Sequence, residues 1–189
     1  MRFAEMFRAA ADREPDEWLS AVATDGLPAL LEVPPGAVKT DVILGWRWQR
    51  LHEPDNSKRT PRRLIYALPQ GTIVDPLVAG VRDWLARLDL GDSVGLHVTL
   101  GSYSLSAGPD WREDMHQPAI VIGTTEYLVS KALNRALGLG AGLWPIDFAL
   151  VTSGAHWIIH SPGCQRRRPP PCARSRQPPS ATGSPSRSR

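Results

Sequence analysis

Through the first 160 residues, short apolar runs alternate with longer stretches in which apolar positions recur at helical spacing. The runs LPALLEV (27–33), RRLIYALP (62–69), SVGLHVTLG (93–101), PAIVIGT (118–124) and AHWII (155–159) have the length and composition of buried strands. Between them, Val42, Ile43, Trp46 and Leu51 share one helical face, and Val74, Leu77, Val78, Val81, Leu85 and Leu88 form a second stripe. Thr72 and Asp75 precede that stripe with capping-box spacing, and Pro76 falls in the first turn, where its missing N–H is tolerated. A third helix is predicted after Thr124 or Thr125, with Leu128, Val129, Ala132, Leu133 and Ala136 on one face and a stop near Gly138-Leu139-Gly140. In WPIDFALVTSG (144–154), Pro145 at a first helical position and Gly154 past the end favour a helix. Near the start, Phe3, Met6, Phe7 and Ala10, then Trp18, Leu19 and Val22 behind an N-capping Asp16, predict two helices covering the edge of the sheet. The segments 52–61 and 102–117 are polar or rich in Gly, Pro and charge, and read as loops.

Strand followed by helix, repeated, argues an α/β domain: a mainly parallel sheet between two helical layers. In such sheets ligands sit beyond the carboxyl ends of the strands. The segments 33–40, 69–72, 101–102 and 123–126 all follow predicted strands, so they are expected to converge on one edge.

Charge divides the chain. Seven arginines and no acidic residue fall in 161–189; taking those seven from the 22 basic residues leaves 15 against 19 acidic, a net of −4, for residues 1–160. The segment 161–189 also lacks Leu, Ile, Val, Phe, Tyr, Trp and Met, so it has nothing with which to build a core and is expected to be disordered. The organisation is therefore read as a body, 1–160, and a tail, 161–189. The tail suits a nucleic-acid-binding arm whose affinity falls with salt. Its Arg, Pro, Ser, Ala and Gly mixture is equally what out-of-frame translation of GC-rich DNA yields. Both cysteines, Cys164 and Cys172, lie in the tail, so the body has no disulfide framework. Nothing resembles a signal peptide or approaches the roughly 18 consecutive apolar residues of a membrane span, so a soluble, cytoplasmic protein is expected.

One segment carries candidate chemistry. Val33-Pro34-Pro35-Gly36-Ala37-Val38-Lys39-Thr40 lies between a predicted strand and a predicted helix. Strand, small-residue loop, Lys-Thr, helix is the layout of a phosphate-binding loop. Backbone N–H groups opening a helix point at phosphate, the Lys reaches the β/γ-phosphates, and the Thr hydroxyl takes a Mg²⁺ position. Two residues depart from it: Val38 stands where a Gly would let the backbone approach phosphate, and Pro35 removes a donor.

Four segments in order, VPPGAVKT (33–40), LIYALPQGTIVD (64–75), LHVTLG (96–101) and PAIVIGTTEYLVSKALNRALG (118–138), together resemble the first RecA-like domain of a superfamily 2 helicase of the DEAD/DEAH type. The chain looks most like the CRISPR-associated helicase-nuclease of type I interference systems, which has a similar I-G-T-x-x-x-L-x-S-x-A-L-N-R stretch. The resemblance implies a three-layer RecA-like (P-loop) domain, incomplete here, with ATP and Mg²⁺ as cofactors. It implies that Gly36, Ala37, Val38, Lys39 and Thr40 hold the nucleotide, with Thr40 at the metal. It implies that Pro69, Thr72, Gly101 and Thr124 lie along a single-stranded DNA backbone, touching phosphates rather than base edges, and that a CRISPR effector complex is the partner.

The departures from the family define the expected activity. The family has Thr at Pro35, Gly at Val38, an Arg where Gly71 stands and an adenine-reading Gln at Leu19. It follows HWII with an Asp-Glu pair that holds Mg²⁺ and positions the attacking water, where this chain has His160 and Ser161. It then continues with a second RecA-like domain supplying an arginine finger, for which the residues after Ile159 offer no counterpart. The expectation is an N-terminal fragment of an ATP-dependent DNA helicase with no intact catalytic set, inactive by itself. The alternative is a non-enzymatic nucleic-acid-binding module using a RecA-like domain and a basic tail. Other clusters read as structural. His156, His160, Cys164 and Cys172 match no metal-ligand spacing, His97 reads as a packed histidine, and Trp46, Trp48 and Trp84 read as core rather than as a base-stacking platform.

Overall fold

In the computed structural model the described residues are 2–28, 31, 33, 39–52, 60–100, 115–135 and 140–160, together with the backbone of 103–107. Their strands form a single sheet: β1 Arg63–Leu68, β2 Gly95–Leu100, β3 Tyr103–Ala107, β4 Ala119–Thr124 and β5 Ala155–Ile159, in spatial order β3-β2-β4-β1-β5. Four strands, β2, β4, β1 and β5, run parallel, and β3 pairs antiparallel with β2. The helices are α1 Phe3–Ala11, α2 Glu17–Asp25, α3 Val42–His52, α4 Val74–Arg87, α5 Thr125–Ala132 and α6 Trp144–Thr152.

Alternation along the strands sends side chains to opposite faces, and both faces are apolar. Leu64, Tyr66, Leu68, Val98 and Ile122 pack with Val42, Ile43 and Trp46 of α3 and with the α4 stripe. Ile65, Ala67 and Val121 pack with Leu128 of α5 and with Leu150 and Val151 of α6. The described residues form a three-layer α/β arrangement, with helices on both faces of a mainly parallel sheet, consistent with the RecA-like expectation. At the amino edge of the sheet, buried Arg63 donates to the carbonyls of Ser153 at 2.8 Å, Met115 at 3.0 Å and Leu150 at 3.3 Å. One guanidinium thus ties the end of α6 and the approach to β4 onto β1.

Several expectations need correction. Residues 103–107, read as part of a loop, form β3. The alternation of Tyr103, Leu105 and Ala107 carries the strand signal, and the Gly, Pro and charges that follow masked it. The predicted strand at 27–33 is not seen: Leu27, Pro28, Leu31 and Val33 belong to no strand, while Ala29, Leu30 and Glu32 lie outside the described residues. A strand exists only as a pair, and Leu27, Leu31 and Val33 stand across a cavity from β5, out of ladder distance. The first two helices do not cover the sheet edge. Met6, Phe7, Ala10, Leu19 and Ala23 pack with Leu44 and Trp48 of α3, forming a small outer layer on that helix. The helix after Thr124 stops at Ala132, where Asn134 adopts a left-handed backbone with φ 56°, so Val129 and Leu133 are exposed rather than core. The Thr72 side chain makes no cap; α4 follows a short turn at Gly71–Ile73. The helix at 144–152 forms as favoured and a strand forms at 155–159, with Gly154 at φ +61° between them, but that strand is half-buried to exposed rather than buried.

Candidate functional site

Lys39 and Thr40 open a single 3₁₀ turn, Lys39–Asp41, that runs directly into α3. Val42 and Ile43, buried against the sheet, anchor the helix start and hold the turn at its position. Both Lys39 and Thr40 are half-buried. The remaining residues of the predicted nucleotide loop, Gly36, Ala37 and Val38, lie outside the described residues, as does Pro35.

A cavity of about 400 Å³ separates the segment before Lys39 from β5. Leu31 and Val33 form one wall, Ile158 and His160 the other, and Tyr66 and Lys39 also line it. A second cavity of about 220 Å³ adjoins it at Leu27 and His156, and it is lined by Asp25, Gln49 and Thr60. Together they follow the side of β5 that has no strand partner among the described residues; the residues of β5 are half-buried or, at Ile159, 62% exposed. The strand inside it, β1, is buried throughout.

His160 continues the β5–β1 ladder by donating its backbone N–H to Ala67 O at 2.8 Å. Burial, and then the Lys39 ammonium, hold its imidazole below the usual histidine range. The position at which the helicase resemblance expects acid therefore carries a nitrogen base next to Lys39. Tyr66 is fully buried, and its hydroxyl has no partner among the described residues; burial and the nearby Asp41 charge push its pKa up to about 12.

The expected nucleic-acid-facing residues fall on the carboxyl edge of the sheet. Pro69 and Thr72 are exposed just beyond β1. Thr124 ends β4, and its neighbour Thr125 donates to Leu68 O at 3.1 Å, joining the ends of β4 and β1. A Cβ on Gly71 would lie 3.7 Å from Leu100 at the end of β2 and 3.9 Å from Thr124. Three strand ends thus meet there, and the buried Thr124 hydroxyl has no partner among the described residues. Gly101 lies outside them.

The donor set decides what the cavity can hold. Lys39 supplies a cation for phosphate oxygens. Mg²⁺ requires oxygen ligands, usually including carboxylates. Among the described residues, none of those lining the cavity with Lys39 is acidic, and no group of three potential metal ligands occurs. The nearest acid in sequence, Asp41, is fully buried and paired with Arg13. The described residues fit an anion and do not fit a Mg²⁺ site built around Thr40.

Sequence reasoning missed Arg13, Asp41 and Tyr66, and named His160 only as the residue standing where the family has acid. Asp41 directly follows Lys-Thr, but a charge at the start of a helix reads as solvated. Tyr66 offers one signal, a single hydroxyl inside the apolar run LIYAL. His97, buried on β2, and Trp46, buried with its ring N–H donating to Pro61 O at 2.9 Å, are structural as read. No helix among the described residues is long and apolar enough to cross a membrane. No family model, curated protein or solved structure matches this chain.

Proposed function

We propose that this chain is the nucleotide-binding N-terminal portion of an ATP-dependent, nucleic-acid-translocating helicase of the CRISPR interference type, acting in the cytoplasm and unable to hydrolyse ATP alone. The observation that carries the reading is the location of Lys39. It stands beside the end of β5, with Thr72 just beyond the end of β1 and Thr124 at the end of β4. Lys39 would neutralise the phosphates and Thr40 would donate its hydroxyl to them. Thr72 and Thr124, with Pro69 and Gly101, would track the backbone of single-stranded DNA presented by an effector complex. Hydrolysis requires an acid to hold the metal and orient water. His160 does not supply that acid: its imidazole carries no negative charge, and the Lys39 ammonium beside it repels a divalent cation.

Thermal unfolding with and without ATP tests the reading. Saturation at a hundred times Kd would stabilise the fold by about 2.7 kcal/mol. The native chain, with Val38 in the loop, is expected to show little protection at millimolar ATP. Val38→Gly is expected to increase it, and Lys39→Ala in that background to remove it. An equal response from native and Val38→Gly proteins would overturn the phosphate-loop assignment.

A second reading is a non-enzymatic nucleic-acid-binding module in which the 161–189 arm supplies affinity. It is favoured by the lack of acid around Lys39 and by seven arginines in a segment without an acidic residue.

A further inference from the structure

We propose that Arg13, on the connection between α1 and α2, is the positioning residue that sets the Lys39–Thr40 turn, so that the outer helical layer is coupled to nucleotide binding. The proposal rests on the nucleotide reading of that turn for its functional half.

Asp41 is the third residue of the turn, and its carboxylate is completely buried. One oxygen, Oδ2, accepts from Arg13 Nη2; the other, Oδ1, has no partner among the described residues. A buried carboxylate with a single cationic partner depends on that partner. Burial drives its carboxyl upward and Arg13 opposes the shift. Without the guanidinium, the carboxylate must either take up a proton or swing out to water. Swinging out rotates the turn that carries Lys39 and Thr40.

Arg13 is itself held. Asp12 closes α1 in the left-handed region, φ 55°, with its N–H on Arg8 O, and this turns the chain back toward α3. The Arg13 guanidinium then lies 5.1 Å from the centroid of the Phe7 ring, a cation–π distance. Phe7 is fully buried among Met6, Leu19, Leu44 and Trp48. A continuous path therefore runs from the core of the outer layer through Phe7, Arg13 and Asp41 to the turn. An ordinary surface ion pair would have both partners in water and little effect on its neighbours.

The test uses the full chain. Arg13→Gln is compared with the native protein and with Arg13→Lys, by amide hydrogen exchange and by ATP titration. Exchange across 39–45 is expected to rise about tenfold in Arg13→Gln, while β1 amides stay within about twofold. Arg13→Lys, which keeps the charge, is expected to restore most of the protection. In the Val38→Gly background, ATP affinity should fall about tenfold on adding Arg13→Gln and recover with Arg13→Lys. Equal acceleration in β1 and in 39–45, or none in 39–45, overturns the positioning role. If Arg13→Gln does not fold, Asp41→Asn provides the same comparison: acceleration confined to the turn supports the role, and its absence overturns it. Failure of the Val38→Gly chain to bind ATP removes the nucleotide reading, while the exchange data still decide whether Arg13 sets the turn.

Discussion

Single residues along the cavity have an acid–base signature. Burial holds the His156 imidazole below its usual 6.5. The unfolded chain then binds more protons than the folded one as the pH drops below 6.5, so folding stability declines on acidification there and is unaffected above it. His160 shifts in the same direction and adds to the decline. His156→Gln is therefore expected to flatten, without abolishing, the loss of thermal midpoint between neutral and mildly acidic pH. An identical acid slope in native and variant proteins would contradict the burial of His156. The burial of His156 could not be placed from sequence, where it is one polar position inside the run AHWII, and His160 reads there only as the residue standing where the family has acid.

At the level of elements, close approach between β2 and β4 is built on one glycine. Gly123 faces Thr99 in the parallel ladder, and a Cβ there would come within 2.6 Å of the Thr99 carbonyl oxygen. Because the obstacle is backbone, Gly123→Ala is expected to destabilise by about 1–3 kcal/mol. Gly80, inside α4 with nothing within 4 Å of its would-be Cβ, gives the opposite sign: Gly80→Ala should stabilise by about 0.5–1 kcal/mol. Urea midpoints of the two variants check both directions. The elements with strong periodicity, the α4 stripe and the runs at β1, β2, β4 and β5, were legible in the sequence because each buries its own face against the sheet. The β3 strand was not, since its alternation is short and the polar residues after it dominate the window. Nor was the end of α5, where an apolar side chain at Leu133 faces water. The Lys39–Thr40 turn was legible as a pattern. The Arg13–Asp41 pair was not, because partners 28 positions apart leave no local spacing to read.

For the molecule as a whole, the division between a net-acidic body and a basic tail makes a prediction about nucleic acid. If the tail supplies the affinity, the full chain should bind single strands with a steep salt dependence, each phosphate contact adding about 0.7 to the log–log slope. Deleting 161–189 should then abolish that binding without changing the unfolding midpoint. Undiminished binding after the deletion would return the contact to Thr72, Thr124 and the other strand ends.

The strand order also has a kinetic consequence. Arg63 faces Ala119 on one side and Ala155 on the other, so β1 must wait for both partners to be brought from far along the chain. Among the described residues only β2 and β3 meet as a hairpin, the kind of pairing that closes in about 1–10 μs. All other ladders require long loops to close before any contact rewards them, which slows folding. The early compact state thus has β1, the strand buried throughout in the finished fold, in place without neighbours. The yield of folded protein is consequently governed by how long β1 stays uncovered, and it should fall with concentration during refolding even where the finished fold is stable.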